Sequence, residues 1–405
     1  MNVRALSAGL SLVLAACSAG APEVAGALAE LPSPAGDGSG EPFLSTDRGG
    51  RVHMSWLQKT SDSTYALKYA RLEGEQWGSA KTIVERKDFF VNWADFPSVV
   101  ISDSGRLVAH WLQRSGAGRY SYDIRISQSS DEGATWTPSQ VLHRDGVAAE
   151  HGFVALWPSD NDAVEAAWLD GRATGSGAPE SRAMHVATTR ISADGALGEE
   201  FELDQRNCDC CQVAAAVTAR GPVVAYRDRT TDEVRDIAVV RRVNGAWTAP
   251  AIVHDDGWQI AACPVNGPAL AARGDTLVVA WFTGAQDTAR VRVAYSFNAG
   301  ATFAPPQRID GGTPAGRVDV KLLDDGSAAV SWLERTDSVT AEVRVRRVRA
   351  NGTQGAPVVL ARASGARASG FPRLALSGDR LYAAWTQPGD TARVHVARYL
   401  LRALP

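Results

Sequence analysis

Three cysteines crowd into the run Arg206-Asn-Cys208-Asp-Cys210-Cys211-Gln, and a fourth, Cys263, follows in Ala-Ala-Cys-Pro-Val-Asn-Gly-Pro. Thiols grouped this way have three chemical outlets. An even count in an oxidising compartment suits two disulfides, one of them joining Cys263 to a member of the triplet. Four thiolates suit Zn²⁺ in a closed tetrahedral site, or a softer ion such as Cu(I), although neither spacing is a standard zinc pattern. Cys208 and Cys211 also carry the Cys-x-x-Cys spacing of a redox pair. No other cofactor is called for by the residues.

A second group of residues sets cations beside carboxylates in short loops. Asp170-Gly-Arg172, Arg227-Asp228-Arg229 and Arg235-Asp236 are such loops, and Asp95, His151 and Arg373 stand in Asn92-Trp-Ala-Asp95-Phe-Pro, Glu150-His151-Gly-Phe and Gly370-Phe-Pro-Arg373. The planar fork of arginine holds carboxylates and phosphates bidentately, so an acidic sugar or another carboxylated or phosphorylated ligand is the natural partner. Asp170, Arg172, Arg227 and Asp228 are the catalytic candidates; Asp95, His151, Arg229, Arg235 and Arg373 are the ligand-binding ones. Each has a plainer reading beside it. Asp170 and Arg172 can form a loop ion pair, an arginine can be solvated or structural, and a lone histidine such as His151 or His110 is more often packed and hydrogen-bonded.

The elements that must position these loops repeat. Apolar strands end in an aromatic at Trp56, Trp111, Trp168, Tyr226, Trp281, Trp332 and Trp385, at intervals of 51 to 58 residues. Units of that size cannot bury a core alone, and a constant period marks a propeller or solenoid. Within a unit a polar turn precedes a strand such as Leu107-Val-Ala-His-Trp, and an alternating strand such as Val343-Arg-Val-Arg-Arg-Val follows. That alternation is strand periodicity with one solvated face, so the class is all-β. Seven aromatic strands predict a seven-bladed β-propeller, with six blades and one irregular unit as the alternative. The last unit ends early, and a run near Val24 to Leu31 is placed to supply its outermost strand and close the ring.

Residues 129 to 136, Ser-Ser-Asp-Glu-Gly-Ala-Thr-Trp, and 296 to 303, Ser-Phe-Asn-Ala-Gly-Ala-Thr-Phe, repeat one turn pattern. The Ser-x-Asp-x-Gly-x-Thr-aromatic pattern resembles the Asp box, or BNR repeat, of the sialidase-like propeller families. In that pattern the side chain of Asp131 or Asn298 accepts backbone N–H bonds across a rim hairpin, and Gly133 and Gly300 allow a positive φ. The resemblance implies an arginine-lined site for a substrate carboxylate, a Tyr–Glu nucleophile and an Asp acid/base. This chain departs from that set: no Arg-Ile-Pro segment stands near its N-terminus, only two boxes are well formed, and Tyr226 lies in the structural aromatic register. The expectation is a non-hydrolytic propeller that binds a ligand, metal or protein at its channel mouth. The alternative is a divergent exo-sialidase-like glycoside hydrolase acting on acidic glycans.

The N-terminal Met1-Asn-Val-Arg, an apolar stretch and Leu14-Ala-Ala-Cys17 resemble a bacterial lipoprotein signal peptide with its lipobox. Residues 1–16 then form the leader, residues 17–41 the lipidated cysteine and tether, and 42–405 one propeller domain. The implied address is the cell envelope, at the outer membrane given Ser18, with a lipid anchor at Cys17 as the membrane contact. A net charge of −3 gives no footprint for nucleic acid.

Overall fold

The computed structural model describes residues 26–175 and 182–405; Cys17 and the leader lie outside the described residues. Seven antiparallel sheets of four or five strands follow one another along the chain. Their innermost strands are Ser39–Thr46, Ser98–Ile101, His151–Pro158, Ala214–Thr218, Ala269–Arg273, Thr313–Leu322 and Arg373–Ser377. Each touches the next, and the last returns to the first, so the ring is closed with seven blades and the six-bladed alternative falls.

Closure is made at the seventh blade. Leu28–Leu31 adds antiparallel to Arg393–Leu400, in register from Leu28 opposite Tyr399 to Leu31 opposite Val396. Joining the two ends of the chain in one sheet leaves no open edge in the circle. Folded structure therefore reaches back into the stretch assigned to the tether, since Leu28–Leu31 and the start of Ser39–Thr46 both precede residue 42. The Ala, Gly, Pro and Ser composition of that stretch conceals a four-residue strand whose pairing partner lies at the other end of the sequence.

The aromatic period has its cause in packing between blades. Side chains on a strand alternate between faces. Trp111 faces the blade before it, packed with Leu57, Leu67 and Ile101, while its neighbour Leu112 faces the blade after it, with Trp168 and Val164. Each of the seven interfaces holds one member of the aromatic series, all 5% exposed or less. Truncating one of the indoles would cost about 3–5 kcal/mol.

In three blades a polar side chain two residues past the aromatic, on the same face, meets the indole. Trp168 donates Nε1–H to Asp170 at 2.9 Å, Trp332 to Glu334 at 2.6 Å and Trp56 to Gln58 at 3.4 Å. A buried indole N–H needs an acceptor, and the strand period places one there.

The turns at residues 129–136 and 296–303 join the third and fourth strands of blades 2 and 5. Asp131 accepts from Thr135 N at 2.9 Å and Asn298 from Thr302 N at 2.9 Å, while Ser129 and Ser296 accept from Gly133 N and Gly300 N. Gly133 and Gly300 have φ of 82° and 79°. Because the strands alternate in direction, these turns sit at one end of the ring. The loops entering the innermost strands and those joining second to third strands gather at the other.

Candidate functional site

At the centre of the ring lies a cavity of about 150 Å³, to which all seven blades contribute. Its lining is aromatic and ionic: Phe43, Phe96 and Phe153 stand with Asp95, Asp319, Lys321 and Arg373. Arg373 opens the innermost strand of blade 7, and its guanidinium carbon lies 4.9 Å from the Phe43 ring and 5.0 Å from Phe96. The two ring centroids lie 6.4 Å apart, so the guanidinium rests over both rings from one side; a flat cation stacked this way keeps its N–H edge free. Among the described residues no acceptor is hydrogen-bonded to that edge. Burial pushes the guanidinium's pKa down, against the attraction of Asp319. Asp319 itself is committed: it pairs with Lys321 at 3.0 Å and accepts from Leu374 N at 2.7 Å.

Asp95, at the entry to blade 2, lines the cavity next to Phe96. One oxygen accepts from Phe153 N at 2.7 Å, and the other meets the Tyr122 hydroxyl at 2.9 Å, which also meets Glu150 at 2.9 Å. The chain at Phe153 has a φ of 54°, and a Cβ on Gly152 would come within 2.0 Å of Asp95 Oδ2, so only glycine admits this approach. A phenol has one proton, so only one carboxylate can accept from it. The other carboxyl must supply its own proton to the Tyr122 oxygen. Burial agrees, pushing Asp95 up to about 8 and Glu150 up to about 7. At neutral pH the cavity therefore holds two cations against one ionised carboxylate, with Asp95 neutral and its proton directed at Tyr122.

The cysteines lock the loop over this cavity. Their sulfurs stand in two pairs near disulfide distance, Cys208 with Cys211 and Cys210 with Cys263, at Cα separations of 5.8 and 6.1 Å. The second pair ties the entry loop of blade 4 to that of blade 5. Gln212, the next residue, lines the cavity and spans it, donating to Ala94 O at 2.7 Å and accepting from Gly267 N at 3.0 Å. A Cβ on Gly267 would meet Gln212 O at 2.0 Å, so the two loops are in backbone contact.

The remaining candidates fall into two groups away from the cavity. Beside the cysteines, Arg229 pairs with Glu233 at 2.7 Å and Asp209 at 3.2 Å, and Arg235 pairs with Glu233 at 2.7 Å and donates to Cys208 Sγ at 3.5 Å. Arg227 is wholly buried and donates to the carbonyls of Asn266, Arg235 and Phe282, stacked 4.8 Å from Trp258. Burial pushes it down to about 9. Asp228 is half-buried, pushed up to about 6 by burial. Tyr226 is sealed in the interface of blades 3 and 4, its hydroxyl bonded to Asp204 at 2.6 Å.

Between blades 2 and 3, His151, Asp170 and Arg172 do converge, joined by Asp145, Glu200 and His143. Arg172 holds Asp170 bidentately at 2.8 and 2.6 Å and reaches Glu200 at 2.9 Å. His151 donates to Asp145 at 2.8 Å, and its ring stacks on His143 at 3.6 Å. Burial pulls the His151 imidazole down, yet Asp145 and Asp170 outweigh it and push it up to about 9. Those two carboxylates are held well below their usual range against burial, Asp145 by His143 and His151, Asp170 by His151 and Arg172. Asp170 is 0% exposed and the Arg172 side chain 31%, and the group forms a largely internal ion-pair network. His110 is likewise internal, bonded to Ser98 at 2.9 Å.

Of the nine charged candidates, Asp95 and Arg373 share the cavity. Sequence reasoning passed over Lys321 and Phe43, which complete it, and Tyr122, which lies buried behind Asp95. Glu150 had a signal in its adjacency to His151, and Gln212 in its adjacency to the cysteines.

No family model and no curated protein matches the chain. Among solved structures it is similar to a protein of unknown function from Dyadobacter fermentans, with 12% identity, a TM-score of 0.52 and coverage of 93% of this chain and 100% of that one. It is also similar to the polysaccharide lyase Uly1, at 10% identity, TM-score 0.52 and coverage of 89% and 90%. The NanB sialidase of Streptococcus pneumoniae matches at 13% identity and TM-score 0.47, over 91% of this chain and 69% of its own. At such identities the likeness extends to architecture alone, and by architecture the chain is a seven-bladed β-propeller.

Proposed function

We propose that the chain is an envelope-anchored, non-hydrolytic propeller of the sialidase-like type, tethered through Cys17 and probing its surroundings with the cavity at the channel mouth. The turns at 129–136 and 296–303 serve as its Asp boxes. The ligand class is a small organic anion, a carboxylate or the acidic end group of a glycan. One observation carries this: the Arg373 guanidinium, resting on Phe43 and Phe96, lines the cavity, and among the described residues no acceptor is bonded to its N–H edge. Lys321 adds charge, and Asp95, kept neutral by burial, does not repel an anion as an ionised carboxylate would. At about 150 Å³ the cavity is below the roughly 300 Å³ of sites that enclose a whole drug-sized molecule. It suits one end group.

Two features favour binding over hydrolysis. Tyr122 is paired with Glu150 as a nucleophilic tyrosine would be, but it is 0% exposed and stacked beneath Phe90 at 3.9 Å, out of reach of an anomeric carbon. Arg227 and Arg317 spend their donors on backbone carbonyls instead of facing a substrate. The alternative, a divergent glycoside hydrolase for acidic glycans, draws on the two carboxyls that meet at Tyr122. A fluorogenic sialoside and a fluorogenic glucuronide, incubated with the purified full chain, separate the readings. No turnover above the protein-free rate is expected. Turnover that disappears in Glu150→Gln and Asp95→Asn would establish the hydrolase.

A further inference from the structure

The stacked histidines between blades 2 and 3 have a face that the ion-pair network does not use. His143 follows the short outer strand of blade 2, Gln140–Val141, and His151 opens the innermost strand of blade 3. Their rings are nearly parallel, 3.6 Å apart and inclined by 8°. On one side both donate to the same carboxylate, His143 Nδ1 to Asp145 Oδ1 at 3.0 Å and His151 Nε2 to Asp145 Oδ2 at 2.8 Å. On the other side His143 Nε2 and His151 Nδ1 have no hydrogen-bond partner among the described residues, although the two residues are only 5% and 0% exposed. Asp123 stands by them, one oxygen 3.5 Å from His143 Nε2 and its side chain 23% exposed.

Two orphaned ring nitrogens side by side are costly in a protein interior. Asp145 fixes the far N–H of each ring, the arrangement by which outer carboxylates orient metal-ligating histidines. An ion that takes the near nitrogens must displace the second proton that His151 carries as an imidazolium. We propose that His143 Nε2, His151 Nδ1 and the Asp123 carboxylate form a binding site for a divalent first-row transition-metal ion. The three ligand atoms lie within 4.8 Å of one another. Closing on an ion at about 2.1 Å needs the rings to tilt together and Asp123 to swing in, which its partial exposure permits. Two nitrogens and one oxygen suit Zn²⁺, Co²⁺ or Fe²⁺ better than Ca²⁺ or Cu(I), and the solvent side beyond Asp123 leaves coordination positions for water. The site is separate from the cysteines and from the central cavity.

The test uses the full chain, stripped with chelator and with any free thiols alkylated, titrated with Zn²⁺ by calorimetry and with Co²⁺ by visible absorption. One equivalent of Zn²⁺ is expected, and the Co²⁺ complex should show d–d bands without thiolate charge transfer. Asp123→Asn, a partly exposed change that keeps the fold, should weaken Zn²⁺ tenfold or more. Asp145→Asn should weaken it by about 10- to 100-fold through loss of ring orientation. Failure of the wild-type chain to bind Zn²⁺, or binding unchanged in both Asp123→Asn and His143→Gln, would overturn the proposal. Should His143→Gln not fold, Asp123→Asn alone decides it.

Discussion

Arg227 stands in blade 4 at the register that Leu169 holds in blade 3, one residue past the aromatic and facing the following blade. Leu57, Leu112 and Leu333 occupy the same place elsewhere in the ring. A guanidinium fits there because three carbonyls and the Trp258 face receive it. Replacing it with the leucine of the other blades restores apolar volume but orphans those carbonyls. Arg227→Leu should therefore lose about 3 kcal/mol or more in equilibrium denaturation, with ligand binding by the folded fraction retained. A variant as stable as the wild type would show that the carbonyls find other partners.

The Asp95, Tyr122 and Glu150 cluster makes stability depend on pH with a definite sign. Their folded carboxyls lie at about 8 and about 7, above the ordinary 3.8 and 4.5, so folding favours their protonated forms. The stability they contribute is full below about pH 4 and is lost as pH rises through 7 to 8. Each group can contribute a slope of up to about 1.4 kcal/mol per pH unit in that window. Asparagine at position 95 mimics the protonated acid and leaves Tyr122 to donate to an ionised Glu150. Thermal unfolding of Asp95→Asn between pH 5 and 8 should accordingly fall less steeply than that of the wild type; parallel curves would remove the shared proton from the account.

The cysteine pairs predict a covalent clamp between blades 4 and 5. Unreduced intact mass should be lower than the reduced mass by the hydrogens of two disulfides, with peptide mapping joining Cys210 to Cys263. Cys263→Ser should cost about 2–4 kcal/mol, and metal content of the unreduced protein should be unaffected by the change. Four free thiols, or metal lost with Cys263, would assign the cluster to coordination instead.

The blades were legible because interblade packing writes one aromatic per unit at a fixed strand register, and the closing strand because the last unit lacked its own. Asp170 was legible too, though as something other than a catalytic acid: it repeats the position two residues past the aromatic, where Gln58 and Glu334 also receive an indole N–H. The cavity was only half legible. Arg373 and Asp95 stood out in entry loops, but Phe43 and Lys321 sit on ordinary strand positions of other blades. Nothing local distinguishes them, since the ring brings them together across some 330 residues of sequence, from Phe43 to Arg373.

The central claim, an anion site centred on Arg373, is tested most directly by calorimetric titration of the full chain with D-glucuronate and N-acetylneuraminate, in the wild type and in Arg373→Met. Methionine keeps an apolar side chain packed against Phe43 and Phe96 and removes the charge. The account predicts saturable 1:1 binding of at least one of the two carboxylates, weakened tenfold or more in Arg373→Met. Neither sugar acid binding to the wild type, or equal affinity in the variant, would contradict it.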